Sequence, residues 1–99
     1  YRKPNQKDFD SAQMCVKRGL EEAENAIKFD PDSEPAWSYK TNLLLEAWKL
    51  ADMDGKMDRK AELDKQREEA QKRTTQLSEA NKKKQAEEEA KQAASPPTS

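Results

Sequence analysis

Ala26-Ile27-Lys28-Phe29-Asp30-Pro31-Asp32-Ser33-Glu34-Pro35-Ala36-Trp37 is the stretch on which the architecture turns. A residue before proline is pushed away from helical dihedrals, so a helix running through Ala26 and Ile27 must stop near Phe29. Asp32 or Ser33 then offers a side-chain oxygen to the free amides of a new helix. Pro35 falls in the first turn of that helix, where its missing N–H costs nothing. The stretch therefore reads as a tight turn joining two helices into an antiparallel hairpin.

Working outward, Ala12, Cys15, Val16, Gly19, Leu20, Ala23, Ala26 and Ile27 recur at steps of three and four, the signature of one helix face. On this reading Cys15 is a packing residue. The opposite face carries Lys17, Glu21, Glu24 and Lys28, and Asn5 or Asp8 caps the helix start. On the other side of the turn, Trp37, Thr41, Leu44, Trp48 and Ala51 form a stripe, with Leu43, Ala47 and Leu50 beside it. A stripe this wide predicts a helix covered on more than one side. It runs to about Asp54, and Gly55 suits a left-handed C-cap.

A third helix is predicted from about Met57 to about Ala93. Opposite charges four apart (Lys65–Glu69, Glu68–Lys72, Glu69–Arg73, Glu79–Lys83, Glu87–Lys91) support it by ~0.2–0.5 kcal/mol each. Leu63, Ala70, Thr74 and Leu77 give it a thin apolar stripe, which stops beyond Ala80. The expected organisation is a helical hairpin over 1–55, a packing helix of the same domain over 56–81, and a charged helix end over 82–99. That last stretch is expected to fray into a disordered Ser-Pro-Pro-Thr-Ser tail.

Composition narrows the function. Of 99 residues, 32% are hydrophobic and 39% charged, which allows one small domain with a thin core. Both tryptophans precede residue 56, and after Gly55 the only large apolar side chains are Met57, Leu63 and Leu77, so the last third cannot build a core of its own. No run of β-branched residues suggests a strand. Net charge is −1, divided as −3 over 1–55 and +2 over 56–99, which gives no basic footprint for nucleic acid. No apolar run reaches the ~18 residues of a membrane span. Lys82-Lys83-Lys84 is followed at once by Glu87-Glu88-Glu89, the pattern of a solvated helix face.

The chain has no histidine, which removes the commonest general base and metal ligand. Cys15, without such a partner, is no nucleophile. In Asp52-Met53-Asp54-Gly55 a calcium loop would place its first ligand on Leu50 and its twelfth on Ala61, neither of which can serve, so the two acids read as solvated groups beside a helix cap. The expectation is a non-enzyme with no catalytic residue, metal site or cofactor. Nothing in the sequence fixes a compartment.

The turn resembles a tetratricopeptide repeat junction. That family ends its B helix with a small residue, four residues and a proline, as in Ala26-Ile-Lys-Phe-Asp-Pro31, and opens the next A helix with a bulky residue, here Trp37. Gly19, Ala23, Thr41 and Leu44 fall on other positions of its pattern, whereas Lys40 stands where a leucine is usual. Helix two is longer than the pattern by about seven residues, nearly two turns at 3.6 residues each, so its facing stripe is preserved. This is similar to the lengthened hairpins of divergent bacterial repeat proteins. The resemblance covers about residues 12–60. It implies an all-α fold of the α–α superhelix type: three helices, a tetratricopeptide-like hairpin plus a long charged C-terminal helix. It also implies a protein–protein interaction module that binds a peptide or partner protein through helix two, with Ser38, Asn42, Leu45, Glu46 and Lys49 on the binding face. The alternative is an assembly element that self-associates into a homo-oligomer through the long third helix, since one repeat cannot bury its apolar face alone.

Overall fold

In the computed structural model, residues 2–94 are described and form three α-helices in chain order: α1 (Gln6–Phe29), α2 (Glu34–Met53) and α3 (Met57–Ala94). The described residues contain no strand, and the fold is all-α. The proposed Ser-Pro-Pro-Thr-Ser tail lies outside the described residues.

Each boundary has a local cause. The Asn5 side chain accepts from the Asp8 amide at 2.9 Å and opens α1. Ser33 accepts from the Ala36 amide at 3.3 Å and opens α2, with Pro35 inside its first turn. At the end of α2, Lys56 N–H donates to the Ala51 carbonyl (2.9 Å) and Gly55 N–H to that of Asp52 (3.2 Å). This pair of bonds is the Schellman arrangement, and it needs a residue with positive φ, which Gly55 supplies at +67°.

The helices form an antiparallel row with α2 in the middle. The Lys40–Glu24 ion pair (2.6 Å) sets the register of α1 on α2. Lys60–Asp52 (2.6 Å) and Asn81–Glu34 (3.0 Å) mark the two ends of the α2–α3 seam. No Cα of α1 comes within 8 Å of one in α3. The wide apolar stripe of α2 is thereby explained, because it serves two neighbours that do not meet. The core is small: Leu44, Ala47, Ala51, Leu63 and Ala70, with Val16, Leu20, Trp37 and Trp48 packed against it. Small residues let the backbones approach. A Cβ at Gly19 would stand 2.9 Å from both terminal methyls of Leu43. Where α2 crosses α3, the Thr41 and Thr74 hydroxyl oxygens lie 3.4 Å apart. Each hydroxyl has one proton, and each donates it to a carbonyl of its own helix (Trp37 at 2.9 Å, Ala70 at 2.8 Å). The contact between the two threonines is therefore close packing and not a hydrogen bond between them.

One device recurs three times. A lysine sets its ammonium over an aromatic ring and meets a carboxylate with the same group. Lys3 covers Phe9 (4.5 Å to the centroid) and reaches Asp54 (2.9 Å). Lys40 covers Trp37 (5.1 Å) and reaches Glu24. Lys60 covers Trp48 (4.8 Å) and reaches Asp52. Each lysine shields ring surface that a chain with so few apolar residues has nothing else to cover.

The structure corrects three expectations. Cys15 is exposed and not packed, and Ala26 is exposed too, because α1 has only one neighbour and its buried stripe is narrower than its apolar spacing. Phe9 extends the buried stripe of α1 toward its start and is 2% exposed. Asp52 and Asp54 are paired with lysines, not merely solvated. Finally, α3 stays regular and exposed through residues 82–94 instead of fraying. Those residues project past the start of α2 by about 20 Å at 1.5 Å per residue. The molecule is accordingly elongated, 67 × 24 × 22 Å, with a radius of gyration of 19.0 Å against roughly 13 Å for a compact chain of this length.

Candidate functional site

The five expected residues all lie on the α2 surface that neither α1 nor α3 covers. Asn42 and Glu46 are exposed, while Ser38, Leu45 and Lys49 are half-buried. Lys49 Nζ meets Glu46 Oε1 at 3.2 Å along the row. Two of the five enter a concavity. Asn42 and Leu45, with Thr41 between α2 and its crossing partner, line a groove of about 490 Å³ whose other wall is Arg67, Glu68, Gln71 and Lys72 of α3. Ser38, Glu46 and Lys49 stand outside it, on the open flank.

The α3 wall was not anticipated from the sequence. The signal for it is positional. Leu63, Ala70 and Leu77 are the buried residues of α3, so residues four from Leu63 and one from Ala70, namely Arg67 and Gln71, must stand beside the seam. Arg67 is steadied by Asp64 (3.3 Å) and Gln71 by Thr75 Oγ1 (3.3 Å), both within α3. The groove thus offers the Asn42 amide as donor and acceptor, the Leu45 side chain as an apolar contact, and a rim of mixed charge.

The perturbed acids lie at the opposite end of α2. The Lys60 ammonium, hydrogen-bonded to Asp52, holds that carboxyl below its ordinary value, and Lys3 does the same for Asp54. Both acids are committed to lysines that brace the helix ends, which is a structural arrangement. Among the described residues no group of acids and cysteines is gathered as a metal site would require. No helix among them is long and apolar enough to cross a membrane. No family model matches the chain, and no curated protein or solved structure does either.

Proposed function

We propose that the chain is a non-catalytic, tetratricopeptide-like interaction module that receives a peptide or partner-protein segment on the α2 face. The observation that carries this is the α2–α3 groove, in which Asn42 and Leu45 meet Arg67, Gln71 and Lys72. An extended backbone presents alternating N–H and C=O groups, and a carboxamide matches both. Leu45 gives a side chain of the ligand something to bury against. Ser38, Glu46 and Lys49 extend the contact along the flank of α2. The resemblance of the Ala26–Pro31–Trp37 junction to a tetratricopeptide repeat supports the same reading.

The test is a displayed random-peptide library selected against the whole chain, followed by titration of the recovered peptides against Asn42→Ala/Leu45→Ala. Loss of the two central contacts should weaken binding at least about tenfold, with helicity and melting temperature unchanged. Peptides that bind the double variant as tightly as the parent would remove the groove from consideration. Self-association through α3 is the second reading, favoured by the uncovered helix of residues 82–94. Light scattering that finds a monomer at every concentration leaves only the first.

A further inference from the structure

On the side of α2 turned away from Asn42 and Leu45 lies a larger concavity of about 580 Å³. Its floor is alkyl throughout: Val16 and Leu20 of α1, and Ala47, Leu50 and Ala51 of α2. The trough follows two helices from Gln13 to Glu24 on its α1 wall, a length of about three helical turns. It exists because α1 and α3 do not meet across α2.

The charges on its rim are unequal in a way that net charge conceals. Of its three carboxylates, Glu24 is held by Lys40 at 2.6 Å and Asp54 by Lys3 at 2.9 Å. Glu21 is left, and it pairs with no cation among the described residues. Against it stand Lys17 and Arg59, which line the same trough and form no ion pair among the described residues, and Lys56, which forms none either but adds its charge to that of Lys3 near Asp54. An alkyl floor about three helical turns long, with a rim whose cations outnumber its one unpaired carboxylate, complements one kind of ligand. We infer that this trough docks an acidic amphipathic helix of a partner protein, its apolar stripe on the half-buried Val16, Leu20 and Leu50 and its carboxylates toward Lys17, Lys56 and Arg59.

The test uses three synthetic helical peptides of equal length: a leucine stripe flanked by glutamates, the same stripe flanked by lysines, and the glutamate peptide with its leucines scrambled off the stripe. Binding to the whole chain is read by fluorescence anisotropy at low and at physiological salt. The glutamate-flanked stripe should bind about tenfold tighter than either control, as a few exposed ion pairs together supply, and the advantage should shrink with salt. Lys17→Glu/Lys56→Glu/Arg59→Glu, all exposed positions, should invert the preference to the lysine-flanked peptide. Leu50→Glu should abolish binding of both, and Asn42→Ala/Leu45→Ala should leave it intact, which separates this surface from the α2–α3 groove. Equal binding of the two flanked peptides overturns the inference, as does indifference to the triple reversal. It is equally overturned if the chain self-associates and Glu87→Lys/Glu88→Lys/Glu89→Lys abolishes that association, because the occupant is then a second copy of α3.

Discussion

Gly19 of α1 faces Leu43 of α2 so closely that a Cβ would collide with it, and the pair yields a double-mutant cycle whose terms have opposite signs. In an isolated helix Gly19→Ala would stabilise by ~0.8–1.0 kcal/mol through helix propensity. In the folded chain the new Cβ would sit 2.9 Å from Leu43 Cδ1 and Cδ2 and 3.1 Å from the Tyr39 hydroxyl, well inside the ~3.5–4.0 Å optimum for carbon contacts. Tyr39 is 45% exposed and can move outward. Leu43 is half-buried, and its terminal methyls must swing to another rotamer or push the helices apart, an overpacking cost of at most ~1–3 kcal/mol. The net effect of Gly19→Ala is therefore between neutral and about 2 kcal/mol destabilising. In a Leu43→Ala background the obstruction is gone, and the same substitution should stabilise by nearly its full propensity, ~0.8–1.0 kcal/mol. The coupling energy of the cycle is then ~1–3 kcal/mol, within the range for residues in contact. Urea unfolding of the four proteins, followed by tryptophan fluorescence and by circular dichroism, measures it. If Gly19→Ala stabilises equally in both backgrounds, α1 does not cross α2 at Leu43 and the two helices pack in another register.

Two further outcomes follow from the C-terminal end of α2. Gly55 has φ +67° with no atom within 4 Å of a built Cβ, so Gly55→Ala meets no obstacle and its whole cost is the left-handed backbone, ~1–2 kcal/mol. The melting temperature should fall by about 4–8 °C per kcal/mol, and Gly55→Asn should recover most of the loss. An alanine variant as stable as the parent would refute the Schellman cap. The second concerns pH. Asp52 and Asp54 are held below their ordinary values by Lys60 and Lys3, so their stabilising contribution is complete above about pH 4, the unfolded carboxyl range, and is lost as pH falls through the lowered folded values. Urea midpoints measured from pH 7 down to pH 2 should fall less steeply for Asp52→Asn/Asp54→Asn than for the parent. An unchanged acid limb would mean that the two pairs do not form in solution.

The hairpin was legible because its signals are local. Pro31, Ser33, Pro35 and Gly55 each act within a few residues, and each acts as its chemistry dictates. The course of α3 was legible for the same reason, since its sequence is helix-forming throughout. What periodicity could not convey is how many neighbours each face has. Cys15 and Ala26 sit at helical spacing from buried residues, yet α1 is covered on one side only and both are exposed. Phe9 lies three residues back from Ala12 along the same face, and its burial continues that stripe to the start of α1. The α3 wall of the candidate groove was hidden in the strongly charged run around Arg67 and Gln71. Only the α2–α3 register decides which members of such a run border the seam. The pairing of Lys3, Lys40 and Lys60 with rings and acids links residues up to 51 apart, beyond what any local pattern carries.

Both binding proposals descend from one feature, the failure of α1 and α3 to meet. A central helix has a full circumference to cover, and two neighbours packed on either side leave two lines of it open. In a closed three-helix bundle the outer helices would touch and seal one of those lines, burying the half-exposed Val16, Leu20 and Leu50 beneath them. Here that line stays open as the alkyl trough, and the other stays open as the Asn42–Leu45 groove. The same geometry explains the weak core, since α2 alone connects the layers and neither outer helix stabilises the other. Substitutions on the α2 side of the core, such as at Leu44 (1% exposed), should therefore disturb both surfaces together. Substitutions on Asn42 or on Lys56 and Arg59 should affect one surface each. That separation distinguishes a module with two docking lines from a hairpin whose grooves are incidental to its packing.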